Sequence, residues 1–301
     1  MNDTCAPSKT FDNISCFTLE SLKQMAKSYN NSNNKSNTDK IIISEDKQSL
    51  VDQLNNRITN CAGDQYCWLN QNFIKKLDSD EIHKHTFRPF GPRVGNEWLS
   101  NIDIVNVMNQ YHKIYPKFLF LGAVPIDFDE QGLVSVDKVK NLLENKTQFG
   151  VVFNTDPSTG RGQHWNSLYC DFDKGQIYFF DSVGIEPLSQ VRKFIAGLVE
   201  LIYFRKYNEK LNIDKVIHHL KSKDDQNEDT KNQVSKLLKI DIRYNTTKHQ
   251  QGNSECGVYS MNFILRLLKG ESFDDITNTR NPDERVNQCR QVYFIEDKLK
   301  K

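Results

Sequence analysis

The chain has no excess charge of one sign, no long apolar run and no paired cysteine spacing, and each absence removes a class of function. Forty Lys and Arg stand against 39 Asp and Glu, a formal net charge of +1, so no global field points to nucleic acid or to an anionic membrane surface. No stretch of eighteen apolar residues occurs, and Met1-Asn2-Asp3-Thr4-Cys5-Ala6-Pro7 lacks the basic-then-apolar pattern of a signal peptide. The expectation is a soluble protein made in a reducing cytosol. Seven cysteines, an odd number without paired spacing, predict free thiols and not a disulfide framework. Cys61 and Cys67, with His83 and His85 further on, could suggest zinc, but the two cysteines are six positions apart where structural zinc sites favour Cys-x-x-Cys. No metal and no cofactor are expected. What remains is a chain of 301 residues, 37% apolar, enough for one catalytic domain and a smaller appendage.

Chemistry concentrates in two stretches. From Val258 onward, Val258, Met261, Ile264, Leu265 and Leu268 repeat at the three-and-four spacing of one buried helical face. Cys256 and Gly257 stand where that helix begins, and there unpaired backbone N–H groups and the positive end of the helix dipole favour a thiolate. On this helix alone, a cysteine packed as a small hydrophobe is the competing reading. Upstream, His164-Trp165-Asn166-Ser167-Leu168-Tyr169-Cys170-Asp171-Phe172 and Gln176-Ile177-Tyr178-Phe179-Phe180-Asp181-Ser182 read as two strands joined by an Asp173-Lys174-Gly175 turn. In such a hairpin a residue just before the first strand and one at the end of the second share a sheet edge, so His164 and Asp181 come within hydrogen-bond reach. With Cys256 they form a set of nucleophile, base and orienting carboxylate.

An acyl-transfer reaction also needs donors for the developing oxyanion. The backbone N–H of Cys256 is one candidate, and the side-chain amide of Gln250 or of Gln251, six and five residues before Cys256, is the other. Trp98 and Trp165, if both flank the nucleophile, leave a slot too thin for a side chain, so glycine is selected by exclusion; the alternative is that they are core tryptophans. His249 is too close to Cys256 in the chain to act as its base, and His218 and His219 fall in a charged segment and read as solvated.

Residues 1–90 read as a separate, mostly helical appendage. Thr18 caps an amphipathic helix with Leu19, Leu22, Met25, Ala26 and Tyr29 on one face. The polar run Asn30–Asn37 follows, then a second helix from Lys47 to Ile58. Helix, polar loop, helix faintly resembles small nucleic-acid-binding modules, but a docking or regulatory appendage is the preferred reading. A Pro- and Gly-punctuated link, Phe87–Arg93, leads into residues 91–301. Ser100 or Asn101 caps a helix bearing Ile104, Val105, Val107 and Met108. Phe118–Pro125 and Gly150–Asn154 read as buried strands with a short helix, Val136–Leu143, between them. A loop from Asp156 to Gly162 delivers His164. Pro187–Phe204 is a long amphipathic helix, residues 205–238 a charged, solvated insertion ending in a helix, and Lys239–Asn245 an alternating strand. The fold class is α+β, a mixed central sheet flanked by helices, with the site where strand ends meet the Cys256 helix.

The order His164-Trp165, then Asp181-Ser182 seventeen residues later, then a glutamine shortly before Glu255-Cys256-Gly257-Val258-Tyr259, resembles the SUMO-protease and adenovirus-endopeptidase superfamily of cysteine proteases. The resemblance spans residues 92–270 and is nearest to the virion-maturation proteases of large double-stranded DNA viruses. It implies a papain-like cysteine protease core and a Cys256, His164, Asp181 triad. The family's spacing favours Gln250 in the oxyanion hole, although a local kink could present Gln251. The resemblance further implies that Trp98 and Trp165 form a tunnel over small substrate residues of the Gly-Gly type. The implied substrate is a viral polyprotein, the alternative being a SUMO-like or ubiquitin-like conjugate; a protease fold that has lost its chemistry is the non-enzymatic possibility. A Lys- and Asn-rich composition leans toward a virus, with localisation in the host cytoplasm, at the viral factory, and in the virion. Some viral relatives need nucleic acid or a cleaved peptide as cofactor, but nothing in the sequence points to one.

Overall fold

A computed structural model describes residues 4–32, 38–221 and 228–295. Residues 33–37 of the polar run and 222–227 of the charged segment lie outside the described residues. The chain forms two compact units, Met1–Arg93 with Gln291–Lys301, and Val94–Arg290. The sequence reading carries the second domain to residue 301. The chain from Gln291 instead belongs with the first unit, because Ile295 bridges to Phe90 and the Phe294 ring lies against Gly91.

In the first unit, helix α1 (Leu19–Asn31) is capped by Thr18, whose hydroxyl accepts the Ser21 N–H at 3.1 Å, and α2 (Lys47–Arg57) by Asp46. Leu22, Met25 and Ala26 of α1 meet Leu50, Val51 and Leu54 of α2 in a core that also holds Phe17 stacked on Trp68. Disulfides join Cys5 to Cys16 and Cys61 to Cys67, which corrects the expectation of free thiols. Pairing depends on Cα atoms coming within about 4.4–6.8 Å. Here they stand 5.4 and 5.6 Å apart, a proximity created by the fold and invisible to a count of cysteines. Cys61 and Cys67 are bonded to each other and are not zinc ligands.

The second unit is built on a five-stranded mixed sheet in sequential order: β1 (Phe118–Val124), β2 (Gln148–Asn154), β3 (Trp165–Asp171), β4 (Gln176–Phe180) and β5 (Asp241–Tyr244). The pairs β1–β2 and β4–β5 are parallel, and the two inner pairs antiparallel. Strands β2 to β4 are buried almost throughout, as expected of strands covered on both faces. Helix α3 (Asn101–Asn109) opens with a capping box between Ser100 and Asp103. One core joins Val139 of α4 (Val136–Leu142) and Val191, Phe194, Leu198 and Ile202 of α5 (Ser189–Tyr207) to Val151, Phe153, Leu168 and Phe179 of the sheet. Helices α6 (Ile213–Lys221) and α7 (Glu228–Leu237) follow. The segment 205–238 is therefore not solvated decoration throughout: Leu211 and Val216 enter the same core.

Helix α8 (Cys256–Leu268) is buried along most of its length and packs on the sheet, with Phe263 stacked on Phe180 at 4.8 Å. Its approach to β2 is close at Gly150, where an added Cβ would stand 3.1 Å from Ile264 Cγ2 and from the Phe118 ring. Gly150→Val overpacks this contact and is expected to cost roughly 1–3 kcal/mol, read as a lowered denaturant midpoint with an unchanged m-value.

Candidate active site

The hairpin places its residues by register. Because Ser167 pairs with Phe180, the start of β3 and the end of β4 lie at one sheet edge. His164 precedes β3 and Asp181 follows β4, and the His164 Nε2 lies 3.1 Å from both carboxylate oxygens of Asp181. Cys256, the first residue of α8, is buried and lies near enough to the same imidazole to favour its charged form. With Nε2 engaged by the carboxylate, Nδ1 is the nitrogen left for sulfur. Burial opposes the His164 imidazolium, but the Asp181 carboxylate bonded to it and the nearby Cys256 sulfur outweigh that and lift its pKa from 6.5 to about 10. The sequence-predicted trio thus converges at one point.

The two glutamines are separated by their surroundings. Gln250 is 2% exposed; its Oε1 accepts the Ser182 hydroxyl at 2.6 Å and its Nε2 donates to Gly252 O at 3.2 Å. The Ser182 bond settles which way the amide faces, and Gly252 uses one of its two N–H bonds. Gln251 is exposed, and its backbone N–H goes to Asp283. His249 is buried beside Phe180 and Tyr259, with its Nδ1 accepting the Asn281 N–H. Burial holds its pKa below the ordinary histidine value. His218 is exposed.

The tryptophans differ too. Trp165 is buried, donates its indole N–H to Leu99 O at 2.9 Å, and packs on Gly257, where an added Cβ would stand 3.3 Å from its Cδ1 and 3.2 Å from Leu99 Cβ. Trp98, one residue away, is 53% exposed.

Sequence reasoning missed the residues that brace this site. Asn245, just past β5, accepts the Asp181 N–H with Oδ1 and donates Nδ2 to Asp181 O, each at 2.8 Å. Asp283 accepts the backbone N–H groups of Gln251 and Gly252 and the Tyr259 hydroxyl. Burial pushes its carboxyl pKa up, and these donors more than offset that, so it falls below the usual value. Arg290, fully buried, donates to Ser254 O. A polar residue directly after a strand was the one available signal, for Asn245; nothing local marks Asp283 or Arg290.

Residues 133–298 match the model of the Ulp1 protease family, C-terminal catalytic domain. A protein of Acanthamoeba polyphaga mimivirus that carries a provisional thiol-protease name is 34% identical, over 96% of this chain and 92% of its own length. A SUMO-1 cysteine protease of African swine fever virus is 27% identical, over 73% of this chain and 76% of its own length. The crystal structure of an African swine fever virus protease aligns with a TM-score of 0.61 at 18% identity, covering 98% of this chain and 96% of that chain, a likeness of fold.

The raised pKa of His164 fixes a pH dependence. A histidine charged in the folded state contributes stability that is complete below its ordinary value near 6.5 and is lost as pH rises through about 10. Asp181→Asn is expected to return the His164 titration, followed by NMR, toward 6.5. The stability gap between wild type and variant, read from denaturant unfolding, should shrink as pH climbs through about 10.

Proposed function

The chain belongs to the Ulp1 protease family and is a cysteine protease, and from that premise we propose that it cleaves viral structural polyproteins at small-residue, Gly-Gly type sites during virion maturation. The observation that carries this reading is the His164 ring bonded through Nε2 to the Asp181 carboxylate, with Cys256 close by at the start of α8.

In this mechanism His164 takes the Cys256 proton, and the resulting imidazolium stays paired to Asp181, whose carboxylate keeps the proton on Nε2. The thiolate attacks the scissile carbonyl carbon. Negative charge moves onto the carbonyl oxygen, where the backbone N–H of Cys256 and the free N–H of Gln250 Nε2 meet it. Gln250 fills this role in preference to Gln251 because its amide is buried and oriented by Ser182. His164 then protonates the departing amine, and water hydrolyses the thioester. The Trp165–Leu99 wall against Gly257 and the exposed Trp98 beside it form the surface that accepts glycine and excludes larger residues. Kinship with two viral proteases supports a viral role, and the proposal places the enzyme in the host cytoplasm and the virion.

A second reading is favoured by the name of the African swine fever virus relative, a SUMO-1 cysteine protease: release of a ubiquitin-like modifier through its C-terminal Gly-Gly. Cleavage of a Gly-Gly-containing structural polyprotein fragment and of a SUMO or ubiquitin fusion, side by side with wild-type and Cys256→Ala protein, separates the two. Cleavage of the polyprotein alone, abolished in the variant, is the expected result; cleavage of the fusion alone sinks the maturation role. Gln250→Ala should lower kcat by about 10²–10³, whereas Gln251→Ala should retain wild-type turnover.

A further inference from the structure

Arginine is almost never fully buried unless its charge and donors are satisfied, yet Arg290 has 0% exposure. Its guanidinium joins two irregular segments that no ladder connects. Nη2 donates to Glu97 O at 2.7 Å and to Ser254 O at 3.2 Å, and Nε donates to Asn287 Oδ1. Asn287 in turn donates Nδ2 to Gly95 O at 3.1 Å and to Asn96 Oδ1 at 2.8 Å. Burial pulls the Arg290 pKa down, while the negative charges of Glu255 and Glu97 oppose that.

The two segments are those that frame the nucleophile. Glu97 and Leu99 flank the exposed Trp98, and both of their carbonyls are held, one by Arg290 at 2.7 Å and the other by the Trp165 indole at 2.9 Å. Ser254 lies two residues before Cys256, and Leu99 packs on Gly257, one residue after it. The strip 97–99 is therefore pinned on both sides of Cys256. The planar fork of arginine serves two carbonyls and an amide oxygen from fixed positions, whereas the three donors of a lysine ammonium turn on a flexible stem and lack that fixed geometry.

We propose that Arg290 is a positioning residue: by tying Glu97 to Ser254 it sets the separation between the Trp98 strip and the Cys256 loop, and so the width of the slot that admits glycine and rejects larger side chains. The selection of glycine rests on the proteolytic reading above, but the width of the slot can be read without any substrate.

The full chain is prepared as wild type, Arg290→Gln, Arg290→Lys and Asn287→Ala, with thermal melts to establish folding. Modification of Cys256 by iodoacetamide and by the bulkier N-phenylmaleimide is followed at that residue by mass spectrometry. A general loss of stability changes both rates together, whereas a widened slot changes their ratio. The bulky-to-small ratio is expected to rise about tenfold in Arg290→Gln, the scale of a pocket that gains or loses one methylene, and less in Arg290→Lys and Asn287→Ala. An unchanged ratio in folded Arg290→Gln overturns the proposal; if that variant does not fold, an unchanged ratio in both Arg290→Lys and Asn287→Ala overturns it. Paired peptides differing by Gly or Ala at the cleaved bond should lose selectivity in step with the ratio. If wild type cuts neither peptide while the reagent ratio still shifts, the proteolytic reading fails and the clamp stands.

Discussion

Strand β4 runs out of ladder partners after Phe180, and the backbone groups of the next two residues must find others, because a buried unpaired N–H or C=O costs about as much as a lost hydrogen bond. Asn245 takes the Asp181 N–H and carbonyl with its side chain. The Ser182 carbonyl receives the N–H groups of His249 and Gln250, each at 2.8 Å. The Ser182 hydroxyl turns the Gln250 amide, and the Asp181 carboxylate accepts the Val183 N–H while it faces His164. One strand end thereby positions the Asp181 carboxylate, the His164 imidazole and the Gln250 amide.

Helix α8 supplies the sulfur, and its placement is a matter of packing. The helix can approach β2 because Gly150 carries no side chain, and its first turn can sit under Leu99 and Trp165 because residue 257 is glycine. Its apolar flank, including Phe263 against Phe180, holds it in the core. The loop before it is braced from downstream, by Asp283 on the N–H groups of Gln251 and Gly252 and by Arg290 on Ser254. These contacts give partners to the backbone of a segment that carries no regular structure.

Much of the fold could be read from local pattern. The caps at Thr18 and Ser100, the apolar stripes of α1, α5 and α8, and the Asp173-Lys174-Gly175 turn each lie within a few residues of the element they define. The pairing of His164 with Asp181 was equally readable, since a hairpin converts sequence separation into position on a sheet edge. The cysteine pairs were not: Cys5–Cys16 and Cys61–Cys67 follow from how turns close in the first unit, and parity of the count carries no information about that. Charge density along 205–238 likewise concealed Leu211 and Val216, because a short amphipathic segment can bury two residues while its average stays polar.

The sequence by itself determined the residue types of the site, the hairpin that joins base to carboxylate, and the helix that begins at the thiol, because each is encoded in periods and turns shorter than about twenty residues. Only the tertiary structure buried Gln250 while leaving Gln251 exposed, buried Trp165 while leaving Trp98 exposed, and brought Arg290 onto Glu97. The hydroxyl that orients Gln250 is 68 residues away, and the cation that meets Glu97 is 193 residues away. A partner chosen across such a distance depends on how the whole core packs, and no local pattern in the chain records it.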